Sequence, residues 1–291
     1  MVMRADIEVF RIISAFAVVW FHSGEIFAKD ASYGGLVFFA IVSIYFNTKS
    51  SSHKTITDRT KRLLLPCLTW SLIYACFNLL LKGRIYPEDY GALSAILSTP
   101  SIHLWYLPYI FIVVVIADQV KKALSKNVMG IGFGVSAIVI LLLAPVWREL
   151  EYIQPLGQYA HALPAVFIGL YLACFFNMQS KVRLIILVGI VCAILLMTII
   201  SQPGIGITYL VGTIPCLLLL IKNPIKKPID NVSAISSLML GVYCIHIIPL
   251  RVLRHIHIEG YVLPLLAFLS SIIFIWTAKK LLSKRYSEYF M

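Results

Sequence analysis

The run IEVFRIISAFAVVWFHSGEIF, Ile7 to Phe27, is long enough to cross a bilayer and carries Glu8, Arg11 and His22 within it. A central arginine costs about 2.5–3.5 kcal/mol on insertion scales, so such residues usually face a protein interior or a water-filled cavity. Arg11 and His22 stand eleven residues apart. At ~100° per residue they differ by about 20° around a helix, and at ~1.5 Å per residue His22 lies roughly 16 Å beyond Arg11. One helix face is therefore expected to carry a cation near one membrane surface and an imidazole well past the midplane. Glu8, three residues before Arg11, is within reach of an i,i+3 pair with it.

The rest of the chain has the same character. Of 291 residues 60% are hydrophobic and 13% charged, and the mean hydropathy is +0.89. This composition belongs to an integral membrane protein and excludes a soluble domain with one anchor. The first apolar run is a poor signal peptide, because Glu8 and Arg11 interrupt it and no clean small-residue cleavage site follows, so it is expected to be retained. Cys67, Cys76, Cys174, Cys192, Cys216 and Cys244 lie in or beside apolar runs with no C-x-x-C, and read as small buried packing residues.

Runs near twenty apolar residues give ten candidate spans, at 7–27, 33–48, 63–81, 102–118, 128–147, 161–178, 183–201, 206–222, 235–251 and 261–282. The second is short in its apolar part, Gly35 to Phe46, and a re-entrant segment there would invert everything after it. Charge arbitrates. With ten crossings and the N-terminus inside, 18 of the 25 Lys and Arg fall on the inner side, 6 on the outer side, and Arg11 within the first span. The positive-inside rule predicts that bias. The expected fold is thus an all-α bundle of about ten transmembrane helices, both termini cytoplasmic, forming a single domain over 1–291. The net charge of +12 becomes an orientation signal and requires no nucleic acid.

Several polar features could carry chemistry. Arg59-Thr60-Lys61-Arg62 closes the inner loop before Leu63-Leu64-Leu65-Pro66. Two readings stand for it: a guanidinium fork for phosphate, if Arg59 and Arg62 share a face, or a basic topology flank. Span two carries Phe38-Phe39 and Ser43. Span four opens with His103-Leu104-Trp105-Tyr106-Leu107-Pro108, an interfacial aromatic cluster by default. Span nine holds Tyr243-Cys244-Ile245-His246 and Pro249, where a lone histidine in apolar surroundings is more often a packing residue than a catalytic one. His255-Ile256-His257 lacks a third ligand at suitable spacing, so no metal site is expected.

These blocks together resemble the membrane acyltransferase family 3. Arg-x10-His matches Arg11 to His22, led by Ile7-Glu8. Arg-x-x-Arg before the third helix matches Arg59 and Arg62, followed by Leu-x-x-Pro66. Phe-Phe-x-x-Ser matches Phe38, Phe39 and, with one further residue, Ser43. His-Leu-Trp-Tyr-Leu-Pro matches 103–108, and Tyr-x-Ile-His-x-x-Pro matches Tyr243 to Pro249. Each motif alone is weak, but five in the family's order are strong. There are departures. Ser43-Ile44-Tyr45 stands where the family usually has Ser-Gly-Phe, which puts a close helix approach there in question. Glu8 stands where Asp is common. The chain is short for the family, and no extracellular domain is expected to be fused to its C-terminus.

The resemblance implies acyl transfer, usually of acetyl, from cytoplasmic acyl-coenzyme A to a hydroxyl of a cell-surface or lipid-linked glycan, in the bacterial cytoplasmic membrane. Acetyl-CoA or another acyl-CoA is then the co-substrate, and no metal is implied. Arg59, Lys61 and Arg62 would hold the donor's phosphates, and its thioester arm would pass Arg11 with Glu8 beside it. His22 would be the general base or briefly carry the acyl group, and base is favoured, since an imidazole ordinarily titrates near pH 6.5. Ser43, His103, Trp105, Tyr243 and His246 would line the acceptor or pore side. A rival reading is a transporter or flippase for a lipid-linked glycan, whose cavity also needs buried Arg and His. A structural membrane subunit explains neither Arg11 nor the ordered motifs.

Overall fold

The computed structural model describes residues 4–50, 55–86, 91–221, 230–282 and 290, and among these there is no strand. Each of the ten apolar runs holds a helix among its described residues, as hydrocarbon demands of segments that must satisfy their own backbone groups. The helices that build the bundle are α1 Ala5–Phe21, α2 Gly34–Lys49, α3 Leu65–Lys82, α4 Tyr106–Ala123, α5 Lys126–Leu142, α6 Leu156–Cys174, α7 Ser180–Ile199, α8 Gly206–Ile221, α9 Met239–Ile245, α10 Ile247–His255 and α11 Val262–Leu281, with shorter helical turns between them. Among the described residues, six helical stretches are long and apolar enough to cross a membrane: Lys29–Lys49, Ile56–Lys82, Ile102–Ala123, Leu156–Asn177, Ser180–Ile199 and Val262–Leu281. The pair Asn231–Ile245 and Ile247–His255, bent by 61°, adds a seventh as a broken span. Two apolar helices are shorter, Lys126–Leu142 and Gly206–Ile221, and α1 has 17 residues and bears charge.

Two expectations need correction. The first helix stops at Phe21 instead of running to Phe27, because Gly24 turns the chain at φ 110°. Ser23 Oγ donates to Val19 O at 2.8 Å, and Trp20 Nε1 donates to Phe27 O at 2.8 Å, which folds the tail back. Of the cysteines, Cys67, Cys174, Cys216 and Cys244 are buried but Cys76 and Cys192 are exposed, on outward faces of α3 and α7 where a thiol sits as an ordinary small apolar group.

The chain divides into two compact units. The first comprises Met1–Ser51, Val114–Leu150 and His161–Ser237. Here α2 is the central helix, packed against α1 and α8 and almost wholly buried. It gets close by means of glycine. A Cβ on Gly35 would meet Ser14 O of α1 at 2.5 Å, and one on Gly212 of α8 would meet Gly34 O at 2.5 Å. Small residues at such crossings let helix backbones gain dispersion contact where lipid offers no hydrophobic drive.

The same logic resolves the departure at Ile44. That side chain is fully buried, and the glycine sits opposite it, on α6. A Cβ on Gly169 would stand 2.8 Å from Ile41 O and 3.0 Å from Ile44 Cβ. The two helices thus approach closely here, with Gly169 supplying the gap beside Ile44.

The second unit comprises Ser52–Val113, Glu151–Ala160 and Leu238–Met291, with α11 packed against both α9 and α10, and α9 against α3. Its first helical turn, Ile56–Arg59, begins at a capping box in which Thr55 and Asp58 bond reciprocally. A π-turn follows over Thr60–Leu64, with Leu65 N–H reaching Thr60 O, five residues back. Pro66 accounts for it. Proline cannot donate to Arg62 O and its ring crowds that carbonyl, so the preceding turn widens.

Gly169→Ala is expected to destabilise the protein by about 1–3 kcal/mol, the usual cost of overpacking, because the backbone carbonyl of Ile41 cannot step aside. Thermal unfolding in detergent checks it. Adding Ile44→Ala should recover part of the loss, and an unchanged Tm in Gly169→Ala would contradict the close crossing.

Candidate active site

In the first unit the site is built on α1. Arg11 Nη1 lies 3.2 and 3.4 Å from the two Glu8 carboxylate oxygens, so the expected i,i+3 pair forms. Glu8 is largely buried and Arg11 about one third exposed, which leaves part of the guanidinium open. His22 caps the far end of the helix, with its N–H on Val18 O at 3.3 Å. Ser43, on α2, is half-buried.

That end of the unit holds residues the sequence reading missed. The Phe21 ring stands 5.1 Å from that of His22 and 4.5 Å from Tyr33, and Tyr33 lies 5.0 Å from His161. Arg148 Nη1 donates to His161 Nδ1 at 3.2 Å. Tyr209 of α8 enters α6 beside Pro164. Its hydroxyl donates to His161 O at 2.5 Å and accepts from Ala165 N–H at 3.3 Å, so it occupies one rung of the helix ladder.

In the second unit, Arg59 is buried whereas Lys61 and Arg62 are exposed. The π-turn between them alters the angular spacing that a regular helix would impose. His103, Tyr243 and His246 are brought together at the 61° break between α9 and α10. Pro249 has no N–H for Ile245 O, and the carbonyls around the break are taken by side chains instead. The Tyr74 hydroxyl donates to Cys244 O at 2.9 Å and lies 3.4 Å from Ile245 O. His103 Nε2 donates to Cys244 O at 3.1 Å, and Ser101 Oγ bonds its Nδ1 at 2.8 Å. Tyr243 Oη donates to His103 O, and His246 Nδ1 donates to Tyr243 O at 2.7 Å. The two imidazoles lie 4.9 Å apart, with exposures of 2% and 0%. Two motif blocks of distant sequence thus form one buried hydrogen-bonded knot. Trp105 stands in a separate aromatic group with Tyr106, Tyr109 and Tyr159.

A signal for His161 exists in the sequence. His161-Ala-Leu-Pro164 repeats the His-x-x-Pro of His246-Ile-Ile-Pro249, and each is served by a tyrosine from another helix, Tyr209 and Tyr74. Nothing local marks those tyrosines, whose partners lie 48 and 170 residues away.

Compared with protein-family models, residues 4–278 match acyltransferase family 3, described as an acyltransferase domain. No curated protein and no solved structure matches.

Proposed function

Because this chain belongs to acyltransferase family 3, we propose that it transfers an acyl group, acetyl first among them, from cytoplasmic acyl-coenzyme A to a hydroxyl of a surface or lipid-linked glycan. One observation carries the reading beyond the family. A single helix, α1, bears an ion-paired, partly open Arg11 near its start and His22 at its other end. In the proposed reaction His22 takes the proton of the acceptor hydroxyl as its oxygen attacks the thioester carbonyl. The C–S bond breaks, and the proton passes to the departing coenzyme A sulfur. A positioned base of this kind contributes about 10²–10⁴-fold. Arg11 steadies the thioester arm, with Glu8 fixing the guanidinium.

Ten crossings with both termini cytoplasmic fit the reaction. Each of the ten apolar runs holds a helix, and the charge bias of the loops supports a cytoplasmic position, the donor's side, for Arg59, Lys61 and Arg62. These three receive the phosphates. Trp105 and Ser43 line the acceptor's path. His103, Tyr243 and His246 act at one remove, by holding the bent helix that their hydrogen bonds close. In this reading the protein lies in the bacterial cytoplasmic membrane.

In membranes carrying His22→Ala, transfer from acetyl-CoA to the cell's surface polysaccharide should fall about 10²–10⁴-fold. It is read by acetyl methyl signals in proton NMR of the glycan and by release of free coenzyme A. Near-normal acetylation would sink the assignment of His22. Arg62→Ala should instead raise the apparent KM for acetyl-CoA about tenfold, the equivalent of about 1.4 kcal/mol, with kcat kept. A tag placed in residues 48–62 should be labelled only after permeabilisation; labelling in intact cells would overturn the ten-span arrangement.

A further inference from the structure

We propose that His161 is a hydrogen-bond donor to an oxygen of the glycan acceptor, held in the donating form by Arg148. Recognition of that ligand as a glycan rests on the acyl-transfer reading above.

Arginine is an obligate donor. Its Nη1 contact at 3.2 Å therefore makes His161 Nδ1 the acceptor, and in the neutral ring the proton must sit on Nε2. The Nε2–H is buried, the residue is 7% exposed, and among the described residues Nε2 has no hydrogen-bond partner. A buried donor left unmatched costs about 1–3 kcal/mol, which a hydrogen bond to a ligand oxygen would recover. The groups facing the ring are Arg148, Tyr33 and Tyr209. Tyr209 spends its hydroxyl on the α6 backbone, so it does not compete for Nε2–H.

The surroundings are built to hold this geometry. Gly204, at φ +69°, leaves the space that Arg148 and His161 occupy, since a Cβ there would stand 3.0 Å from Arg148 Nη1 and 3.4 Å from His161 Cε1. His161 is joined to His22 through ring contacts of Tyr33 and Phe21, so the fixed donor lies at the same end of the unit as the proposed base. A base must titrate, whereas His161 has its only lone pair engaged by a guanidinium. The two histidines are thus fitted to different tasks, one to accept a proton and the other to donate a hydrogen bond.

The test uses the full-length protein in lipid nanodiscs, with ¹⁵N-histidine labelling and, as probe, host surface polysaccharide freed of ester groups by mild alkali. Wild-type His161 should show the Nε2–H tautomer alone, Arg148→Leu should populate both tautomers, and the Nε2–H signal should shift when the polysaccharide is added. In turnover, His161→Leu should raise the KM for the polysaccharide at least about tenfold while leaving that for acetyl-CoA unchanged. His161→Gln, which keeps an N–H donor, should restore most of it. An Nδ1–H tautomer, or a His161→Leu effect that is equal on both substrates or absent, overturns the proposal. If the wild type transfers no acetyl group at all, the acyl-transfer reading fails. The signal shift on adding polysaccharide then decides the donor role by itself: a shift keeps it and no shift removes it.

Discussion

A backbone carbonyl released by proline inside hydrocarbon has no water to turn to, and this fold is arranged around that fact. Three prolines show three repairs. At Pro66 the helix widens by one residue, so that Leu65 bonds Thr60. At Pro164 a tyrosine hydroxyl enters the ladder and serves one acceptor and one donor. At Pro249 the helix breaks outright, and Tyr74 with His103 covers the exposed carbonyls. Each repair fixes a titratable or cationic residue nearby: Arg59 and Arg62 flank the first, His161 supplies the carbonyl of the second, and His103 and His246 meet at the third. Irregular backbone and polar side chains occur together because each relieves the other's cost.

Much of this was legible in the sequence. Hydrophobic run length located the long helices, including the weak second one, and residue spacing foretold the Glu8–Arg11 pair. Two boundaries escaped, for local reasons. A glycine turned the chain after Phe21 although apolar residues continued to Phe27, and the helix bearing Arg59 began at Thr55 through a capping box within a polar stretch. The long-range repairs could not be read at all. Tyr74 and Tyr209 look like any aromatic residue in an apolar run until their distant partners are known.

The Ile44–Gly169 contact shows why motif matching alone misjudges such a chain. The loss of a family glycine reads as loss of a close crossing, yet the requirement belongs to the pair of helices. Either one can supply the gap. The motif block around His103 and His246 gives the complementary lesson, since residues that look catalytic by type also hold together a broken helix.

Arg4 and Lys121 were counted above only as positive charges that orient the loops. In the folded chain each is a donor to a spent helix end: Arg4 Nη2 reaches Leu219 O at 2.5 Å in the last turn of α8, and Lys121 Nζ reaches Ser50 O at 2.7 Å just past α2. In the proposed orientation even-numbered spans finish in the cytoplasm, where insertion also favours lysine and arginine. Biogenesis and folding therefore recruit the same cations in succession. During insertion they act as a tally that any loop position could satisfy, and afterwards as site-specific clasps on carbonyl ends whose dipoles call for positive charge.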